Sequence, residues 1–429
     1  LARSRCLSVE LSARVGAAGA IRPTSVTSSG DCPAPQGSWP ITDSPRRDLF
    51  PDWRRPLSDR DPVRLKRGAS IAMAIVAHAR PFVIGVDTHA RNHAISILAC
   101  PTGEILDEAK FPATTAGLSR AVAWAGRRTD GDAGVLWVIE GTGTYGARLA
   151  RTAADAGYTV VEAPRMNARA NRGIGKSDPL DSRRIGAAAL PLQDSHLREP
   201  RADDGVRAAV KVLLASRDHM STERTATINA LTALLRVVDL GIDARRPLTA
   251  TQIAMIAAWQ PRDEDIATAT ARGEANRLAK RVAALDTELK DITKRITDLV
   301  RQSPASGLLD QPGIGPITAA VALTSWSHLG RIRSEAAFAS LAGTNPIPAS
   351  SGNTVRHRIN RGGDRRLNRA LHMAIVTRMR MDPRTRAYVE RRTAEGRTIR
   401  EIRRCLKRYL AREIYRHLNT AARAQLATT

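Results

Sequence analysis

Only four cysteines occur in 429 residues, and Cys6, Cys32, Cys100 and Cys405 stand far apart without a CxxC pair. That spacing argues against both a zinc knuckle and a disulfide framework. Aromatic side chains make up 3% of the chain, which disfavours a protein that reads single strands by stacking bases on aromatic faces. No apolar run is long enough to span a bilayer, and no N-terminal stretch has the pattern of a secretion signal. The expected location is the cytoplasm, with no membrane partner. Acid is also in short supply. There are 42 Asp+Glu against 67 Lys+Arg, a net charge of +25. GC-rich codon usage can exchange lysine for arginine, but it does not readily create a surplus of this size. Residues 352–429 hold 21 Lys+Arg against 6 Asp+Glu, so +15 of the excess is local. A basic end of this kind points to a polyanionic partner, whose phosphates release condensed counterions when neutralised.

At 42% hydrophobic and 25% charged residues, most of the chain has the composition of two or three globular domains. Residues 1–72 are rich in Pro, Ser, Gly and Arg and begin with Leu. They are expected to be a disordered leader or a misassigned start, with ordered patterning beginning near Met73. Strand-like apolar runs follow at Phe82–Val86, Ala94–Leu98, Ile105–Phe111, Val135–Ile139 and Tyr158–Val161. Helical stretches at about Ala116–Arg127 and Tyr145–Ala156 separate the later ones. Three hairpin-linked strands followed by alternating helix and strand is the order of a ribonuclease H-like fold.

Beyond residue 200 the strands stop. Leu278, Val282, Leu285, Leu289, Ile292, Ile296 and Leu299 alternate spacings of four and three, a coiled-coil pattern. Dimerisation and packing on an upstream helix through Leu213–Val238 fit it equally well. Further on, Pro312-Gly313-Ile314-Gly315 lies between apolar helical segments, as in a helix-hairpin-helix. There Gly313 and Gly315 would let backbone N–H groups meet a phosphate, although a plain helix–helix turn has the same sequence. The expected architecture is α/β plus α: a ribonuclease H-like (RuvC-like) domain at 73–200, a helical coiled-coil region at 201–303, and a helical C-terminal domain at 304–429.

Acidic residues punctuate the first domain. Asp87 ends the first strand in VIGVDTH, Glu140 ends another in VLWVIEGTG, and Asp178 and Asp181 stand three apart in KSDPLDSRR. Taken alone, Asp178 before Pro179 reads as a helix N-cap, with Asp181 at the capping-box position. Brought together, four carboxylates repel one another unless cations neutralise them. An all-oxygen donor set suits two Mg²⁺ ions, which would stabilise both the attacking and the leaving oxygens of a phosphoryl displacement.

The order D…E…D-x-x-D in these contexts resembles the RuvC-like domain of DEDD-type insertion-sequence transposases, the IS110 family. The stretch LAGTNPIPASSGNTVRHRINRGGDRRLNRALHMA is similar to the second domain of that family. The resemblance runs from about Phe82 to the C terminus. It implies DNA cleavage and rejoining, with Asp87, Glu140, Asp178 and Asp181 holding metal. It also implies a serine in the second domain that forms a phosphoserine link to DNA. The serine directly before glycine is Ser351, with Ser350 as its competitor. Arg356 and Arg358 are then candidates to clamp phosphate oxygens, with Arg361, Arg365 and Arg366 as further nucleic-acid contacts. Finally, the resemblance implies a bacterial, nucleoid-associated protein, a noncoding guide RNA beside DNA as partner, and a homo-oligomer.

Two other readings compete. A RuvC-like nuclease or junction resolvase would use the four acids without the serine. Gly141-Thr142-Gly143-Thr144-Tyr145-Gly146, with Glu162 downstream, is formally a dinucleotide-binding GxGxxG. It follows the fourth strand instead of the first, however, and Glu140 would face a pyrophosphate.

Overall fold

The computed structural model describes residues 74–165, 178–201, 204–352 and 357–428. After a short helix α1 (Val76–Ala79), strands β1 (Phe82–Thr88), β2 (Asn92–Ala99) and β3 (Ile105–Pro112) form an antiparallel meander. Helix α2 (Thr115–Arg128), β4 (Leu136–Ile139), α3 (Ala147–Asp155) and β5 (Thr159–Glu162) follow. Both later strands run parallel to β1, giving the sheet order β3-β2-β1-β4-β5. This matches the expected strand order. The central strands have both faces covered and read as continuous apolar runs for that reason. On one face Ile84, Val86, Ile95 and Trp137 pack against Leu118 of α2 and Leu149 of α3. On the other, Val83, Leu136 and Val138 meet Ile185 and Ala189 of α4 (Asp178–Ala189).

The rest of the described chain is almost entirely helical. Helices α5 (Gly205–Val237) and α7 (Ile266–Arg301) form a long antiparallel hairpin, with α6 (Ala250–Ala257) packed on its far end. The heptad face of α7 is thus covered by α5 of the same chain. Leu231, Leu235, Ile253, Ile256, Ala279 and Val282 share one core at the far end. The pairs Arg224–Asp286 and Arg281–Glu223 tie the two helices at mid-length.

Helices α8 (Pro316–Trp326) and α9 (Glu335–Leu341), the hairpin β6 (Pro346–Pro348) and β7 (His357–Ile359), and helices α10 (Arg365–Met381), α11 (Pro383–Ala394) and α12 (Ile399–Thr428) complete the fold. Their core does not stop at residue 304. Val210, Leu214, Ile296 and Val300 from the base of the hairpin are buried together with Trp326, Phe338, Leu371 and Leu410. Arg201 and the buried Arg207 donate to the Thr324 carbonyl at the end of α8, where a cation also meets the negative pole of the helix. No helix among the described residues is long and apolar enough to cross a membrane.

Candidate active site

Asp87 is the last but one residue of β1, and only 7% of it is exposed. Glu140 directly follows β4, the parallel neighbour of β1, so the two acids emerge at the same sheet end. The Thr88 hydroxyl donates to the Glu140 carbonyl (3.0 Å) and fixes that junction. Asp178 and Asp181 lie in the first turn of α4.

What brings α4 onto these strand ends is a contact between two glycines. A Cβ at Gly85 of β1 would lie 2.1 Å from the Ser182 carbonyl oxygen and 2.5 Å from the Gly186 amide nitrogen. The lack of side chains there lets helix backbone lie on strand backbone. A polar chain locks the approach. Ser182 Oγ is 2.6 Å from Ser96 Oγ, Ser96 donates to Glu108 (2.7 Å), and Arg183 of α4 is paired to Glu108.

The four acids converge. Burial pushes the Asp87 carboxyl above its ordinary range, and Asp181 and Asp178 add to the rise. Glu140 is raised by desolvation and by the charges of Asp87 and Asp181. Asp178 is held below its ordinary range by Lys110, whose Nζ is 2.8 Å away. Arg184 pairs with Asp181 at 3.1 Å. His89, which the spacing argument passed over, sits among them with Nε2 3.1 Å from Asp87 and 3.4 Å from Asp178. One ligand atom each from Asp87, His89 and Asp178 lie within 4.8 Å of one another. A donor set this crowded with carboxylate oxygen fits divalent cations, with Lys110 and Arg184 engaging the two outer acids.

Both raised groups favour proton uptake by the folded state. Their contribution to stability is full below the ordinary carboxylate range and lost as pH rises through the raised values. In chelator, Asp87→Asn/Glu140→Gln should match wild type in melting temperature near about pH 4 and exceed it increasingly toward neutrality. A difference that does not change with pH would show that the acids are not coupled in this way.

Ser350 and Ser351 lie elsewhere, exposed on the connection between β6 and β7. No hydrogen bond among the described residues joins Ser351 to the carboxylates. The motif around the serines secures the base of that hairpin. Asn360 donates to Asn345 (2.7 Å), Asn368 donates to the Ala342 carbonyl (2.6 Å), and Asp364 caps α10.

Of the candidate nucleic-acid contacts, Arg358, Arg361 and Arg365 are exposed, whereas Arg366 pairs with Asp218 of α5 at 2.8 Å. Arg356 lies outside the described residues. The Pro312–Gly315 turn is preceded by a single 3-10 turn, Ser306–Leu308, where a helix-hairpin-helix would have an α-helix. Gly313 (φ +75°) backs onto α10, where a Cβ would meet the Ala374 carbonyl at 2.6 Å. Arg378 also donates to the Pro312 carbonyl. That flank of the turn is therefore packed, while Gly315, the N-cap of α8, remains open. Glu162 is bound to Arg331 (2.5 Å) and to the Thr142 hydroxyl (3.3 Å), which removes it from a ribose-binding role.

Two family models match the chain. The DEDD transposase domain of IS110-type elements matches residues 84–238, and the transposase IS116/IS110/IS902 family matches residues 305–390. Together they cover more than half of the chain. The chain belongs to the IS116/IS110/IS902 transposase family. The insertion element IS900 42 kDa protein of Mycobacterium paratuberculosis is 28% identical over 365 residues, covering 74% of this chain and 90% of that protein. The insertion element IS110 43.6 kDa protein of Streptomyces coelicolor is 26% identical over 311 residues, covering 62% and 76% respectively. All four acids fall within the matched DEDD segment, and both serines fall within the second one.

Proposed function

We propose that this family member cuts and rejoins DNA at the ends of its insertion element, with the convergence of Asp87, Glu140, Asp178 and Asp181 as the observation that carries the reading. These four would hold two Mg²⁺ ions, which supply charge stabilisation on the scissile phosphate when bound. Lys110 and Arg184 orient Asp178 and Asp181, and His89 steadies Asp87. The Ser351 hydroxyl attacks phosphorus and displaces a sugar hydroxyl, leaving a phosphoserine. The returning attack of a sugar hydroxyl on that link rejoins the strand. A serine is a poor nucleophile without help, so carboxylates and serine must meet, within one chain or across two copies. Assembly as a homo-oligomer supplies the second arrangement. Exposed Arg358, Arg361 and Arg365 hold the backbone near Ser351, with Arg356 beside it in sequence. A guide RNA that pairs with donor and target would select sequence by base pairing, leaving the protein to read backbone and shape.

The test is a strand-transfer reaction with Mg²⁺, element DNA and co-purified RNA, probed for a covalent protein–DNA adduct. Ser351→Ala is expected to remove the adduct and to reduce transfer by at least about a thousandfold. Full activity in both Ser350→Ala and Ser351→Ala would rule out the serine mechanism. That no hydrogen bond among the described residues joins Ser351 to the carboxylates favours one rival, a RuvC-like nuclease. That enzyme would nick with metal and form no adduct in the wild type.

A further inference from the structure

Several arginines of the C-terminal helices are held by acids of the same chain. Arg378 meets Glu413, Arg392 meets Glu395, and Arg412 and Arg416 share Glu335. One group is not. Where the first half of α12 packs along α10, Arg403 has a buried Nε with no hydrogen-bond partner. One turn on, Lys407 is half-buried, and its Nζ donates to the neutral Asn368 Oδ1 (3.1 Å). Burial holds the His372 imidazole of α10 below its ordinary range, and the charges of Lys407 and Arg403 lower it further. Arg404 adds a further positive charge at the rim, its Nε donating to the Arg400 carbonyl.

The nearby carboxylates are engaged elsewhere. Glu401 accepts from Thr398, with Arg397 and Arg404 near it, Asp364 caps α10, and Glu413 holds Arg378. Among the described residues no carboxylate forms an ion pair with Arg403 or Lys407. Cations kept partly out of water without counter-charge are costly to fold, and that cost implies an anion that arrives later. Helix α12 lies wholly beyond the matched segment 305–390.

We propose that the groove between α10 and α12 binds a backbone phosphate of duplex DNA through Arg403 and Lys407. This rests on the proposed reaction, which requires DNA. The nearby aromatic pair, Tyr388 and Tyr409, is stacked edge to face on itself and offers no platform for unpaired bases.

The test measures binding of the full chain to a fluorescent DNA duplex across a salt series. Arg403→Gln/Lys407→Met is compared with Lys280→Gln/Lys290→Gln, which removes the same charge from exposed positions on α7. The groove variant should bind about tenfold more weakly at about 0.1 M salt. Its log–log salt slope should be shallower by about two, one counterion for each lost contact. The α7 variant should stay within about threefold of wild type. Equal losses in both variants, or an effect on duplex RNA of the same length but not on DNA, would overturn the proposal. Should the double variant fail to fold, Arg403→Gln and Lys407→Gln are read singly, each expected to lower the slope by about one. Wild-type protein that binds no DNA at all would count against the transposase reading. Undiminished binding by the groove variants would count only against this groove.

Discussion

Asp87→Asn is expected to abolish strand transfer, by at least about a thousandfold, while making the metal-free protein melt about 2–4 °C higher. Both effects come from one cause. Asp87 is nearly buried, and desolvation together with Asp181 and Asp178 works against its charge. Removing that charge relieves repulsion in the empty site, and the amide keeps the shape of the side chain. The same change removes a ligand for the cations that the acids would otherwise attract, so the rise in melting temperature that Mg²⁺ gives the wild type should disappear. Two measurements decide the matter: a thermal melt with and without Mg²⁺, and the transfer assay. A variant that keeps a tenth of wild-type transfer, or that still responds to Mg²⁺ as wild type does, would remove Asp87 from the metal site.

Gly85→Ala should have the largest structural effect. Its new methyl carbon would sit 2.1 Å from the Ser182 carbonyl oxygen, where only backbone can yield. Helix α4 must then lift from β1, breaking the link between Ser96 and Ser182 and withdrawing Asp178 and Asp181 from Asp87. Overpacking against main chain costs about 3 kcal/mol here, a fall in melting temperature of about 6–12 °C. Gly273→Ala is the contrasting control. Gly273 lies in α7 with nothing near its missing Cβ, so alanine there should stabilise by about 0.5–1 kcal/mol. Equal melting temperatures for Gly85→Ala and wild type would show that α4 is not held by this contact.

The sequence made the sheet readable because its inner strands are apolar runs bounded by polar turns, and the structure starts and ends all five strands within two residues of expectation. Asp87 and Glu140 stood out for a related reason, as charges at the ends of strands that otherwise exclude them. What sequence spacing cannot show is who meets whom. His89 and Lys110 reach Asp178 across 89 and 68 positions, and Gly85 meets Gly186 only once the helix is in place. The heptads of α7 illustrate the same limit. A seam of leucine and isoleucine accepts any matching helix, and here α5 of the same chain fills it. Charge was legible in total but not in use. Arg366 and Arg378 are spent on Asp218 and Glu413, while Arg403 and Lys407, which no motif marked, are left without acids.

The α5–α7 hairpin has a mechanical consequence. At 1.5 Å per residue, helices of 33 and 36 residues extend about 50 Å. Because both helices belong to one core at the tip and to another at the base, the hairpin is a lever without a hinge. A load on α6 at the tip is carried along two braced rods into the core shared with the C-terminal helices. Anything that grips the tip, including a second copy of the chain, would therefore pull on the C-terminal helices through α5 and α7.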